Sequence, residues 1–426
     1  MTTTISRHRL KSIIGGSLGN LVEWYDWFAY ATFSLYFAPV FFPKGDYTAQ
    51  LLGTSVIFTI GFIMRPVGAW VMGSSSDRHG RKAGLAMSVG LMCGGSLLIA
   101  IAPTHAQAGV AAPLILVLAR IIQGLSLGGE YGASATYLSE MAPRHRRGFW
   151  ASFQYATLSG GQLLAMGVAL AMQAWLSDTE LTAWGWRIPF LIGAVLALGV
   201  YILRRRLAET PSFENLAADR PASTVRHLWQ HHRRNFILVT MMTAGGSLAS
   251  YAFTTYMLKF LVNTTGFDKR TATLVIACAL VWSFINQPLW GAIADRFGRK
   301  PVLIFAGVGV LLCAVPVLTA VASAATPFTA FLLLLIPITL HGGYTANNAL
   351  VKAELFPAHI RSLGVALPYA LANAAFAGTV EPVALWFKDS GIEAGFYWYV
   401  AAMVAVALTA FVLVPETREG GLIAED

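Results

Sequence analysis

GSSSDRHGRK, Gly73 to Lys82, and GAIADRFGRK, Gly291 to Lys300, are one ten-residue pattern written twice. The copies are offset by 218 residues in a chain of 426, close to half its length. One copy would be unremarkable. Two copies at equivalent places imply duplicated halves. The residue types suit a turn between two close-packed helices. Gly73 and Gly291 admit a neighbouring helix, and Gly80 and Gly298 admit a tight turn. Asp77 and Asp295 are placed to pair with an Arg or to cap the start of a neighbouring helix.

On either side of each copy the sequence is apolar. Hydrophobic residues make up 56% of the chain and charged residues only 12%, against about 25% charged in an ordinary soluble domain. Mean hydropathy is +0.60. Disorder, collagen, coiled coil and a secreted disulfide scaffold are excluded by this composition and by only three Cys. Apolar stretches lie near 13–38, 50–73, 83–102, 111–138, 149–175 and 188–203, and again near 235–262, 271–293, 301–322, 327–350, 362–387 and 394–414. Each is of a length suited to crossing about 30 Å of hydrocarbon as a helix. The expected fold is an all-α membrane protein with twelve transmembrane helices in two six-helix halves. The halves are 1–206 and 235–426, joined by a cytoplasmic linker at 207–234. The first stretch holds Asn20, Glu23 and Asp26, which argues against a signal peptide.

Orientation follows from the basic residues. With the N-terminus in the cytoplasm, 22 of the 30 Lys and Arg fall on the inner side, Arg204 and Lys352 among them. Six fall outside (Lys44, Arg187, Lys259, Lys269, Arg270 and Lys388), and Arg65 and Arg120 lie within spans. This is a positive-inside bias. Both termini are expected in the cytoplasm, and the net charge of +9 needs no nucleic acid. His227, His231 and His232 in the linker suggest a metal at first sight. The preferred reading is a solvated basic segment on the membrane surface, and no metal or cofactor is expected.

The duplicated loops match the signature of the major facilitator superfamily almost residue by residue. Within it the chain resembles the metabolite:proton symporters. The runs are GNLVEWYDWFAY (19–30), GFIMRPVGA (61–69), ARIIQGLSLGGEYGASATYLSE (119–140), RRGFWASFQ (146–154), WGWRIPF (184–190), ETPSF (209–213), KAELFPAHIRSLG (352–364) and PETRE (415–419). The resemblance implies the major facilitator fold and proton-coupled uptake across a bacterial inner membrane.

Charges inside a bilayer are costly and usually functional. Arg120 suits a substrate carboxylate or a buried acid, because its planar fork donates in pairs. Arg65 has the same two readings, Asp26 being the candidate partner. Glu23 and Asp26 lie three apart on one helix face. Asp26, then Glu130, are the expected protonation sites, with Glu23 beside them. Glu130 lies about 15 Å along the helix from Arg120 and cannot pair with it. Tyr155, Gln162, Tyr251, Thr254, His341, Tyr344, Asn348 and Asn373 are candidate substrate contacts, with helix-to-helix bonding as the alternative. Lys352 is expected to snorkel to the membrane face. Asp77, Arg78, Arg81, Glu140, Arg147, Asp295, Arg296 and Arg299 are the candidate cytoplasmic gate.

The expected function is a secondary active transporter, not an enzyme. No HExxH run or paired Cys–His constellation occurs, and no ATP-binding loop. The embedded Arg residues argue for a small carboxylate as substrate, and the resemblance puts alpha-ketoglutarate foremost. Citrate, tricarballylate, shikimate or an aromatic acid are alternatives, as is a zwitterionic osmolyte such as proline or glycine betaine. Exchange without protons and sodium coupling are also open. A monomer in a lipid bilayer is expected to suffice.

Overall fold

A computed structural model describes residues 7–42, 47–205, 209–214 and 223–423. Lys44, Arg206 and Arg220 of the charge count therefore lie outside the described residues. The described residues form helices joined by short connections, with no strand among them. The N-terminal long helices are α1 (Arg7–Phe41), α2 (Tyr47–His79), α3 (Arg81–Ile101), α4 (Ala111–Met141), α5 (Phe153–Trp175) and α6 (Ile188–Arg204). The C-terminal ones are α7 (Val225–Phe253), α8 (Lys269–Phe297), α9 (Arg299–Ala322), α10 (Pro327–Glu354), α11 (Arg361–Ala372) and α12 (Ala394–Leu413). A short helix, Arg147–Ala151, leads into α5, and α11 continues through a π-helical turn, Asn373–Ala377, into Val380–Asp389.

Eleven runs of described residues are long and apolar enough to cross a membrane. The twelfth run of the six-plus-six pattern is α1, 35 residues long, which carries Glu23 and Asp26. Large apolar side chains cover the outside, among them Trp175, Leu312 and Trp398 at 86%, 70% and 66% exposure. In water such a surface would aggregate; in lipid it is the solvated face.

Each half is a bundle. In the first, α4 packs on α2 and α3, and α1 on α5 and α6. In the second, α10 packs on α8 and α9, and α12 on α7 and α9. The halves meet along α2 against α11 and α5 against α8. These two seams are equivalent under the sequence repeat, since α8 repeats α2 and α11 repeats α5.

Glycine sets the closeness of α2 and α4. A Cβ on Gly128 would come within 2.8 Å of the Arg65 Cα, and one on Gly124 within 3.0 Å of the Gly61 Cα. Gly80 (φ 106°) and Gly298 (φ 100°) are the left-handed turns between α2 and α3 and between α8 and α9, as the duplicated motif predicts.

α7 begins at Val225, and Thr224 caps it by accepting from the His227 N–H at 3.1 Å. Residues 225–234 therefore belong to a helix that projects beyond the apolar stretch. Charged side chains there end the hydropathy signal, while the chain stays helical apart from a kink at His232.

Candidate functional site

The centre of the protein is a stack of cations on aromatic rings. Trp27 on α1 lies between two guanidinium groups. The Arg65 Cζ is 4.1 Å from its ring centre and the Arg120 Cζ 4.0 Å, so the two cations are no more than about 8 Å apart. Phe62 covers Arg65 at 4.1 Å, and Tyr30 and Phe58 cover Arg120 at 4.4 and 4.8 Å. The Gly128 contact brings the Arg65 backbone against α4, and this presses α2 and α4 together around the stack. Both Arg residues are almost wholly buried. Arg120 donates from Nη1 to Gln123 at 2.8 Å. Its Nε and Nη2, and all three nitrogens of Arg65, have no hydrogen-bond partner. Arg65 thus does not pair with Asp26. Buried cationic donors left open cost free energy that an anion would recover.

A second group of rings continues from Arg65 toward the end of the bundle that carries the duplicated motifs. Tyr131 on α4 and Tyr369 on α11 are stacked face to face across the two halves, with ring centres 3.4 Å apart and an interplanar angle of 4°. The Lys352 Nζ lies 4.6 Å from the Tyr369 ring centre and 5.4 Å from that of Tyr131. Lys352 is fully buried. The expectation that it snorkels is therefore corrected: α10 turns it inward, between the halves. Asn348 on the same helix donates to the Tyr131 hydroxyl at 2.9 Å.

The other candidate contacts divide. Tyr155 has Tyr251, Ser247, Ser250 and Tyr369 as neighbours, and Tyr251 meets Phe62 edge-on at 5.8 Å. The hydroxyls of Tyr251 and Tyr344 are buried without a hydrogen-bond partner. His341 Nε2 is 2.8 Å from the Ser250 hydroxyl, a bond within the second half. Gln162 is buried on α5. Thr254 and Asn373 donate to their own helices, at Ser250 O (2.7 Å) and Tyr369 O (2.8 Å). Thr254 lies at the break after α7, and Asn373 starts the π-helical turn. Their side chains satisfy irregular backbone.

The buried acids lie behind the cation stack, inside the first half. Asp26 points at α6, where a Cβ on Gly193 would overlap its carboxylate. It is fully buried, neither oxygen has a hydrogen-bond partner, and it is close enough to Arg120 to interact electrostatically. Glu23 turns to a different partner from Asp26. Arg204 donates to Glu23 at 2.6 Å and to Glu130 at 3.1 Å, and Ser88 donates to Glu23 at 3.0 Å. Arg204 was counted with the cytoplasmic basic residues; it is instead fully buried. The α6 helix carries it back into the bundle, where Gly19 leaves room for its guanidinium.

At one end of the bundle the duplicated motifs form two matching clasps between the halves. Asp77 accepts from the backbone N–H of Ser362 (2.9 Å) and Leu363 (3.0 Å) at the start of α11. Asp295 accepts from Gly148 (2.7 Å) and Phe149 (2.9 Å) in the turn before α5. Each Asp also binds the Arg of its own motif, Arg81 at 2.7 Å and Arg299 at 3.2 Å. Arg81 reaches Glu140 at 3.3 Å and the carbonyl of Ala358 at 2.5 Å. Glu140 in turn binds Arg361 of the other half, and Arg299 lies 3.9 Å from Glu354. Arg147 interacts electrostatically with Glu354. Thr210 donates to Glu140, and Thr417 to Glu354 at 2.5 Å. Glu209 and Glu416 cap the starts of α3 and α9. Arg78 and Arg296 have exposed side chains.

Sequence reasoning missed Trp27, Tyr131, Tyr369, Arg204, Glu354 and Arg361. The last two carried a signal. Glu140 and Arg147 recur as Glu354 and Arg361 at one offset of 214 residues.

Residues 19–382 match the family model described as Major Facilitator Superfamily. The alpha-ketoglutarate permease of Escherichia coli K12 is 46% identical over 420 residues, covering 99% of this chain and 97% of that protein. A citrate-proton symporter of Klebsiella pneumoniae is 32% identical, covering 96% and 93%. A structure of the proton:xylose symporter XylE bound to 6-bromo-6-deoxy-D-glucose superposes with a TM-score of 0.84 at 20% identity, covering 99% and 98%.

Proposed function

The chain belongs to the major facilitator superfamily, and from that premise we propose that it imports a dicarboxylate, alpha-ketoglutarate foremost, with protons. It is a secondary active transporter that works by moving two halves about a central site. The observation that carries the substrate reading is the Trp27 stack. Five guanidinium nitrogens of Arg65 and Arg120 are buried and open, and the cations are close enough for each to take one end of a short diacid. Lys352 and the Tyr131 and Tyr369 hydroxyls extend the site toward the cytoplasm. The 46% identity to a permease for this substrate supports the same reading.

Asp26 serves as the first protonation site. Its charge partly offsets that of Arg120, so protonating Asp26 strengthens the attraction of Arg120 for a bound carboxylate. Glu23, Glu130 and Arg204 form a second station, which is neutral when the three groups carry one proton between the two carboxyls. The two Asp clasps close the cytoplasmic side while the site faces outward. The working unit is a monomer in the inner membrane, with both termini in the cytoplasm.

Counterflow in proteoliposomes over labelled alpha-ketoglutarate, citrate, shikimate and glycine betaine tests the substrate. Saturable exchange of alpha-ketoglutarate is expected; exchange of only shikimate or only betaine refutes it. Asp26→Asn is expected to keep exchange and lose accumulation driven by a pH gradient. Accumulation that still follows the gradient removes Asp26 from the mechanism.

A further inference from the structure

The cytoplasmic extension of α7 holds three histidines that the transport reading does not use. On an unbroken helix, side chains five residues apart point about 140° away from one another. His227 and His232 are five apart, yet their ring centres are 6.0 Å apart. The helix breaks at His232, whose φ and ψ are −128° and 23°, and this break turns its ring back toward His227. His359, from the turn Ala358–Ile360 before α11, places its ring 5.7 Å from that of His227. One ligating nitrogen from each of the three lies within 4.8 Å of the others. All three are half-buried, whereas His231 is exposed and stacks on the outer side of His227 at 4.3 Å.

We propose that His227, His232 and His359 bind a divalent transition cation, with Zn²⁺ the best match to the donors. Three imidazoles and a water complete a tetrahedral Zn²⁺ shell, at Zn–N distances of about 2.0–2.1 Å. Small rotations of three rings about their side-chain bonds close the nitrogens to that spacing. The site is unlike the amphipathic surface segment expected from sequence, because His359 comes from 127 residues further on and supplies the ligand that makes it three-sided.

The consequence for transport comes from what flanks His359. The Ala358 carbonyl accepts from Arg81, and Arg361 binds Glu140, both in the opposite half. A cation joining the turn to α7 stiffens it in the geometry that engages the first half. Bound metal therefore favours the cytoplasm-closed state and slows uptake.

The test uses the untagged full-length protein in detergent, titrated with Co²⁺ as a spectroscopic stand-in for Zn²⁺. One Co²⁺ per chain with a tetrahedral visible spectrum is expected. His359→Ala should weaken binding by about tenfold or more, and His231→Ala should leave it unchanged. Binding that survives His359→Ala, or that is lost equally with His231→Ala, overturns the proposal and reduces the site to surface chelation along α7. Metal-free counterflow of His359→Ala, equal to that of the unmodified protein, shows that the variant is folded. This binding assay reads the site independently of which substrate is carried. In proteoliposomes, Zn²⁺ is expected to inhibit the unmodified protein and to spare His359→Ala; equal inhibition of both refutes the regulatory role.

Discussion

Asp77→Asn isolates the free energy of one clasp. The Asp77 carboxylate accepts four hydrogen bonds: Arg81 (2.7 Å) and Ser362 N (2.9 Å) at one oxygen, Leu363 N (3.0 Å) and Ser223 Oγ (2.9 Å) at the other. Arg81 lies on the same half as Asp77 and stays beside it when the halves part, so it largely cancels. The two backbone bonds exist only while the cytoplasmic ends are together. In Asn one oxygen becomes an amide nitrogen, which cannot accept, and the other loses its charge. One buried N–H then faces a donor and the other keeps a neutral bond. Losing one charge-assisted bond and weakening a second costs about 3 kcal/mol of closure. That corresponds to roughly a hundredfold shift toward the state in which the clasps are open. In that state water satisfies both N–H groups, which sets the sign. The reporter is Ser362→Cys in a cysteine-free background. Its side chain is wholly buried between the halves, and the substitution keeps the backbone donor. Alkylation by an impermeant maleimide in inside-out vesicles should accelerate by about two orders of magnitude when Asp77→Asn is added. An unchanged or slower rate would show that the Asp–backbone bonds do not hold the closed state.

Asp295→Asn should open the opposite seam by a similar factor, because Asp295 holds Gly148 and Phe149 in the same way; a tenfold smaller effect on the same alkylation assay would break the equivalence of the halves. Trp27→Leu removes the ring shared by both guanidinium groups. At about 1–2 kcal/mol per desolvated cation–π contact, substrate Kd in equilibrium binding should rise by at least about tenfold, and an unchanged Kd would dissociate the stack from the site. Gly128→Ala drives a methyl into the Arg65 backbone. Little folded protein should survive size-exclusion chromatography, whereas Gly90→Ala, which has open space at this position, should behave as the unmodified chain.

The clasps were the most legible part of the site. Asp77, Arg81, Asp295 and Arg299 were readable because a turn and the helices it joins are local, and because the pattern occurs twice. Their partners were harder to read. Ser362, Leu363, Gly148 and Phe149 contribute only backbone N–H groups, and any residue type supplies those. Arg204 shows the opposite limit. It is the first of three arginines at the end of an apolar run, so composition places it in the cytoplasm. Only the packing of α6 on α1 and α3 shows that it turns back to Glu23, Glu130 and Ser88.

The sequence by itself determined the membrane, the all-helical fold and the family, and it pointed to two halves and a short set of charges. Each of these follows from hydropathy, from charge asymmetry or from a repeated motif, all of which are properties of neighbouring residues. The tertiary structure alone decided which charges meet. Arg65 and Arg120 share Trp27, and Asp26 and Glu23 part company although they are three residues apart. Lys352 is buried under two tyrosines from different helices, and His359 completes a triad with α7. These pairings depend on how far each helix is rotated about its own axis and how closely glycine lets it approach. In a bilayer nearly every face of a helix is apolar enough to point either way, so that rotation is set by packing against distant helices and is not written in any local stretch.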